Sequence, residues 1–415
     1  MSSFASFAGF DWAKEKHDVT IVAPDGRILE QFQFEDTAEG WGRFQKQITP
    51  HLPMAVAIET SCGAAVDRLL QLGVAICPIQ PMAAKRYRER KAPTGVKDNA
   101  LDAWSLADAL RLDGHTWRSL QPEDPLTQEL RILSRDEVAL IEQRTALINQ
   151  LQQAIYEYYP AARQAFKDWT SPASWQFIIQ FSTPEMLIRA GKRKWERFLK
   201  SNGLHKAETN AERLEIFANA KQFHGTPPVT AAKSVLAVAT AKQLLTLEEQ
   251  LTTYRRRIRD LFAQHPDHEI YDSLPGLGEK LAPRLLSRCA GDRFGSTQEM
   301  QCVAGTAPVS QESGKSRVVK FRYACDKLLR ATVHHWANLS REKCAWAEAY
   351  YQRKRDYNMS HAAALRCLGH RWLKILYKML ATRTLYDEAL HLRNQVAHGS
   401  WVITLMPNSV PAKPS

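Results

Sequence analysis

"ASFAGFDWAKEKHDVTIVAPDGRILEQFQFE", residues 5–35, holds the pattern on which the fold turns. "ASFAGFDWA" and "HDVTIVAP" read as two strands, and "RILEQFQFE" reads as a third after a turn at Asp25–Gly26. A polar helix follows from Thr37 to Ile48. "MAVAIE" is then a short strand apolar enough to be buried on both faces, "CGAAVDRLLQLG" a helix with a glycine stop, and "VAICPI" another strand. A three-strand meander followed by strand–helix–strand predicts a mixed α/β sheet, covered by a helix that begins near Lys97.

From Pro125 the period changes to seven. Leu126, Leu133, Leu140, Leu147 and Ala154 fall on one line, with Ile141, Ile148 and Ile155 beside it, and Pro160 ends the helix. A second long helix, from about Val235 to Phe262, carries Leu244, Leu247, Leu251, Tyr254, Ile258 and Leu261 at coiled-coil spacing. The two helices can close on each other as an antiparallel pair or extend as a dimer arm; the sequence leaves both open. Beyond "LPGLGEKLAPRLLS", residues 274–287, the chain reads as helical to about Asn394, and "VITLMPNSVPAKPS" as a loose tail. The predicted divisions are an α/β domain over 1–124, a helical coiled-coil arm over 125–265, a mainly α domain over 266–394 and a tail over 395–415.

The 415 residues carry a formal charge of +12, which favours a polyanionic partner, nucleic acid before membrane. No segment reads as a secretion signal or as a membrane span. Seven cysteines lie scattered without a CxxC pair, as expected of reduced thiols in the cytoplasm.

Three stretches carry candidate chemistry. Asp11 ends the first strand, Glu59 ends the fourth, and "KDNALDA" places Asp98, Asn99 and Asp102 on a helix, with 98/102 and 99/102 sharing a face. Carboxylates gathered in a partly dry site repel unless a cation lies between them. Mg²⁺ takes hard oxygen ligands and phosphate. Two such ions about 3.5–4 Å apart can assist both oxygens of a phosphoryl transfer.

"FAGFDWAKEKHDV", "AIETSCGAAVDRLL" and "KDNALDAWSLADALR" resemble the three acidic blocks of the insertion-sequence-110 family of transposases. "LPGLGEKLAPRLLSRCAGDRFGSTQEMQCVAGTAPVSQESGKSR" resembles that family's second signature. The resemblance implies an RNase H-like, RuvC-type N-terminal domain with an Asp/Glu/Asp/Asp tetrad, and a serine that attacks DNA. Asp11 and Glu59 match the first and second acids, Asp102 the fourth, and Ser313, followed by Gly314, the serine. The third acid falls on Asn99, whose amide oxygen can ligate Mg²⁺ but brings no charge; Asp98 is the neighbouring substitute. The resemblance further implies a composite site between subunits, a dimer or tetramer, donor and target DNA, and a structured "bridge" RNA that pairs with both. An enzyme of this kind would work in the bacterial cytoplasm, at the nucleoid. A nuclease without serine chemistry and a silent nucleic-acid binder remain the alternatives.

The basic runs complete the expectation. Lys85, Arg86, Arg88, Arg90 and Lys91 precede the acidic helix and could hold a strand over it. Lys192, Arg193 and Lys194 are interleaved with Trp195 and Phe198, a mixture suited to RNA stacking. Arg255, Arg256, Arg257 and Arg259 form a run near the end of the second long helix. Lys315, Arg317, Lys320 and Arg322, followed by Lys327 and Arg330, would contact backbone phosphate. "LPGLGEK" is equally a helix–hairpin–helix and a plain turn.

Overall fold

The alternation in the first stretch builds a sheet. The computed structural model describes residues 4–91, 98–204, 206–219, 225–291, 293–314 and 316–401. Its first unit, which ends at Glu123, contains β1 (Ser6–Asp11), β2 (Lys16–Val22), β3 (Ile28–Glu35), α1 (Ala38–Ile48), β4 (Met54–Ile58), α2 (Ala64–Gln71), β5 (Ala75–Pro78), α3 (Pro81–Lys91) and α4 (Asn99–Asp113). The strand order is β3-β2-β1-β4-β5. β2 pairs antiparallel with β1 and β3, whereas β1, β4 and β5 pair in parallel. The mixed α/β sheet expected from the sequence is therefore present, and every residue of β4 is buried.

Successive residues of a strand face opposite sides, and this sheet uses both. Ala8, Phe10, Val56 and Ile58 join Trp41 and Phe44 of α1 and Val66 and Leu69 of α2 in one core. Phe7, Val22, Ala55 and Ala57 join Ala84 of α3 and Leu106, Ala107 and Leu110 of α4 in the other. Gly9 lies on this second side, and a Cβ there would sit 1.9 Å from the Ala103 carbonyl oxygen and 2.6 Å from the Ala107 nitrogen. The missing side chain lets the α4 backbone rest directly on β1, which fixes where the helix's first turn lies.

The second unit begins at Asp124, which caps α5 (Pro125–Tyr158) by accepting from the Leu126 and Thr127 amides at 3.1 and 2.9 Å. There follow α6 (Pro160–Ala165), α7 (Pro172–Gln180), α8 (Pro184–Ser201), α9 (Ala207–Asn219) and α10 (Pro227–Gln264). Pairs such as Thr127 with His265, Arg144 with Glu248 and Glu157 with Lys233 show that α5 and α10 close on each other antiparallel within the chain. The α10 seam is the expected one, with Leu244, Leu247, Leu251, Ile258 and Leu261 buried. The α5 seam is displaced from the Leu126 line. Of that line Leu126, Leu133, Leu140 and Leu147 are only half-buried and Ala154 is buried. Ile148 and Ile155 beside it are buried as expected, together with Thr127, Leu130, Ser134, Glu137, Leu151 and Tyr158. Glu137 holds a central seam position because an ion chain satisfies it: Arg144–Glu248–Arg255–Glu137–Arg284.

One end of the pair packs with α6, α7 and α8 around Phe177, Phe181, Trp195 and Phe198. The other packs with α11 (His268–Asp272), α12 (Gly278–Cys289), α13 (Thr297–Val303), α14 (Lys327–Lys343), α15 (Ala345–Asp356), α16 (His361–Thr382) and α17 (Glu388–Ala397). The segment before α14 is not helical, contrary to expectation: β6 (Val309–Ser313) and β7 (Ser316–Lys320) form an antiparallel hairpin. Its residues are nearly all exposed, so it carries no buried alternation to read. Gly276 in "LPGLGEK" has a second explanation besides phosphate approach. Its φ is +82°, and a Cβ would meet the Ser340 nitrogen at 2.6 Å, so the turn packs tightly on α14. The expected tail over 395–415 begins too early: α17 continues to Ala397 and Trp401 stacks on Tyr350, while residues 402–415 lie outside the described residues.

Candidate active site

Strand parity places the acids. Asp11 continues the side of Phe7 and Gly9, Asp18 the side of Val22, and Glu59 extends β4 on the side of Ala55 and Ala57. Because β1 and β4 are parallel neighbours ending at Asp11 and Ile58, Asp11 and Glu59 lie at one edge of the sheet. Gly9 holds Ala103 against β1 two residues before Asp11, so the first turn of α4 reaches the same edge. The fold thus brings Asp11, Glu59, Asn99 and Asp102 to one region.

Their contacts differentiate them. Asp98 is the N-cap of α4 and accepts from the Ala100 amide at 3.3 Å, so it serves its own helix. Asn99 donates to Asp18 at 3.4 Å. Asp18 is the cross-strand partner of Asp11 and also accepts from Gln33 at 3.3 and 3.2 Å. Sequence reasoning missed Asp18; the signal was its position opposite Asp11 across the first strand pair. Asp102 receives Arg88 on both oxygens at 2.8 and 2.9 Å. The Asp102 hydrogen bond raises the Arg88 pKa, burial opposes it, and Asp102 and Glu59 add their negative fields. Arg88 therefore stands as counter-charge to two of the candidate acids.

The donor set suits a divalent cation in kind, since all of it is hard oxygen on adjoining elements. Its members are not gathered as they stand. Among the described residues, no three His, Cys, Asp or Glu side chains are placed to hold an ion. An ion bound to Asp102 would have to replace the guanidinium.

The neighbouring cations are also engaged. Lys91 pairs at 2.6 Å with Asp108, a carboxylate 4% exposed that also holds Arg111. Burial pushes the Asp108 pKa up, and the Lys91 and Arg111 hydrogen bonds outweigh it, leaving the carboxyl below its usual range. Lys85 pairs with Glu89 at 3.6 Å, and Arg86 and Arg90 are exposed. The α3 run is thus partly a set of ties to α4.

Ser313 ends β6, exposed, opposite Ser316, and Gly314 makes the turn with φ +55°. Lys315 and the Arg317 side chain lie outside the described residues. Lys320 is exposed. Arg322 donates to the Ala307 and Pro308 carbonyls at 3.1 and 3.4 Å, so it braces the hairpin's base. Lys192, Arg193 and Lys194 are exposed, but Trp195 and Phe198 are 5% and 1% exposed and stack within the core. They are unavailable to bases, which corrects the stacking expectation. Arg255 and Arg257 pair with acids of α5. The seven cysteines are free, and no helix among the described residues is long and apolar enough to cross a membrane.

Similarity to known proteins follows the same two regions. Residues 8–160 match the DEDD transposase family of IS110, and residues 268–352 match the transposase family IS116/IS110/IS902. A Streptomyces coelicolor protein named as a candidate mini-circle transposase for IS117 is 31% identical over 398 residues, covering 93% of this chain and 96% of that one. A 42 kDa protein of insertion element IS900 from Mycobacterium paratuberculosis is 29% identical, covering 71% and 73%. A 43.6 kDa protein of IS110 from Streptomyces coelicolor is 26% identical, covering 82% and 81%. DEDD domains typically work with a divalent metal. By coverage and identity, the chain belongs to the IS110 family of transposases, which act on DNA in transposition.

Proposed function

We propose that the protein is an RNA-guided DNA recombinase that cuts and rejoins donor and target DNA. The observation that supports this reading is that β1 and β4 are parallel neighbours ending at Asp11 and beside Glu59, while Gly9 seats the first turns of α4, which carries Asp102, on β1. The sheet order β3-β2-β1-β4-β5, with only β2 reversed, supports an RNase H-like, RuvC-type domain. Asp11, Glu59, Asp102 and the Asn99 amide oxygen would hold Mg²⁺, which supplies positive charge to phosphate oxygens.

The Ser313 hydroxyl, presented at the hairpin tip, is suited to attack a DNA phosphorus. A serine–phosphate bond forms, the bond to one sugar oxygen breaks, and the serine proton ends on that leaving oxygen. Attack by a sugar hydroxyl of the other DNA reverses the exchange and frees the serine. No His or Asp lies at a local spacing from Ser313 in sequence, so a composite site supplied by a second copy, in a dimer or tetramer, fits the reading. The charge of +12 suits a complex with both a bridge RNA and DNA.

Asp11→Ala is expected to keep nucleic-acid binding and to lower strand cleavage more than 100-fold. Cleavage at the parent rate would remove the acid edge from the mechanism. A second reading, a catalytically impaired nucleic-acid binder, is favoured by Asn99 and by the Arg88 hold on Asp102. It predicts a parent protein that does not cleave with Mg²⁺ and an Asn99→Asp variant that does.

A further inference from the structure

Several of the basic residues singled out in the sequence are engaged by acids or carbonyls, among them Arg88, Lys91, Arg255, Arg257 and Arg322. A different group is not. Between α13, α15 and α16 lies a cleft of 380 Å³, lined by Thr297, Gln298, Tyr350, His370, Arg371 and Lys374 among others. Arg353 and Lys354 flank it from α15. Among the described residues, Arg353, Lys354, Arg371 and Lys374 form no ion pair with a carboxylate, and Glu348 of α15 is held by Arg341 at 2.7 Å. Uncompensated cations around one concavity repel each other and are relieved by an anion.

Aromatic rings hold three of these four cations in place. Tyr350 and Trp401 stack with centroids 5.5 Å apart. Arg353 lies 3.8 Å over Trp401, and Lys354 and Arg371 lie 5.5 and 5.8 Å from the Tyr350 centroid. Arg371 is further fixed by donating to Gln395 at 2.9 Å. The ring faces are taken by each other and by the cations, so they do not offer a platform for bases. Burial lowers the pKa of His370 at the cleft wall, and the neighbouring Lys374 and Arg371 lower it further.

We infer that this cleft binds the phosphodiester backbone of DNA. Phosphate oxygens would sit among Arg371, Lys374, Arg353 and Lys354, and the Thr297 hydroxyl and Gln298 amide offer further donors at the cleft wall. The contact is independent of sequence, because it reaches phosphate and no base edge. DNA is the occupant because the family acts on it, and the inference rests on that membership alone, not on Ser313 or the acid edge.

The test uses the full chain in a Ser313→Ala background, where the readout is binding alone and failure of the serine chemistry leaves it untouched. Labelled duplex DNA and labelled single-stranded RNA are titrated over a range of salt. The double variant Arg371→Glu/Lys374→Glu is expected to lose at least 10-fold in duplex affinity. Its log affinity against log salt should be shallower by about two. RNA affinity should change less than twofold, and the exposed pair Arg43→Glu/Lys46→Glu, which matches the charge change, should leave DNA binding near the parent value. The neutral Arg371→Gln/Lys374→Gln variant guards against misfolding and should move the same way by a smaller factor. Duplex affinity equal to that of the control pair, or a loss confined to RNA, would overturn the inference.

Discussion

The acid edge of the first unit and the cationic cleft of the second treat charge in opposite ways. On α3 and α4, Arg88 and Lys91 close on Asp102 and Asp108, so these charges are answered inside the unit. Around Tyr350, by contrast, Arg353, Lys354 and Arg371 are positioned by aromatic rings and Lys374 lines the same cleft, and among the described residues none of the four pairs with a carboxylate. A run of cations in a sequence therefore says little about its target. What matters is which acids the fold places within reach. An internally paired cation orders the protein, whereas one held on a ring keeps its charge available to a partner.

The sharpest way to break the first half of that contrast is to lift α4 from the sheet. Gly9→Val puts a branched side chain where even a Cβ meets backbone at 1.9 Å. It should destabilise the protein by about 3 kcal/mol or more, through overpacking that backbone must relieve. Denaturant unfolding followed by circular dichroism checks this, and an unchanged midpoint would mean that Gly9 does not register α4.

Asp108→Asn follows in size. Removing one partner of a buried ion group leaves Lys91 and Arg111 uncompensated, at a cost of about 3 kcal/mol. The pH dependence has a definite sign. Because the folded Asp108 pKa is depressed, its stabilisation is present above the unfolded carboxylate value. It is lost as pH falls through the lower folded one. The Asn variant should therefore lose most stability near neutral pH and converge with the parent in acid; a pH-independent difference would contradict the assignment.

A smaller effect is expected at the acid edge itself. Arg88→Gln frees Asp102 of its counter-charge, so Mn²⁺ affinity, read by electron paramagnetic resonance without any DNA, should rise several-fold. Equal or weaker binding would show that Arg88 does not compete with the ion.

The sheet was legible because its strands alternate, and Asp11 and Glu59 were placed by the strand ends alone. The α5 seam was not. Glu137 and Arg144 look like an exposed face until partners on α10 and α12, more than a hundred residues away, draw Glu137 into the interior and cover half of Arg144. Trp195 and Phe198 failed in the opposite sense, since aromatics among lysines suit either a core or a binding face. The hairpin under Ser313 left no periodic trace because almost nothing on it is buried. Asp18 became visible only through β1–β2 register.

The central claim is that Ser313 and the acid edge perform one reaction on DNA. The most direct measurement is to mix the protein, with the RNA transcribed from its flanking DNA, with a labelled donor junction, quench in denaturant and look for a covalent protein–DNA species by mass spectrometry. The account predicts a phosphodiester-linked adduct on Ser313 that disappears in both Ser313→Ala and Asp11→Ala. Cleaved DNA with no adduct, and at an unchanged rate in Ser313→Ala, would contradict it.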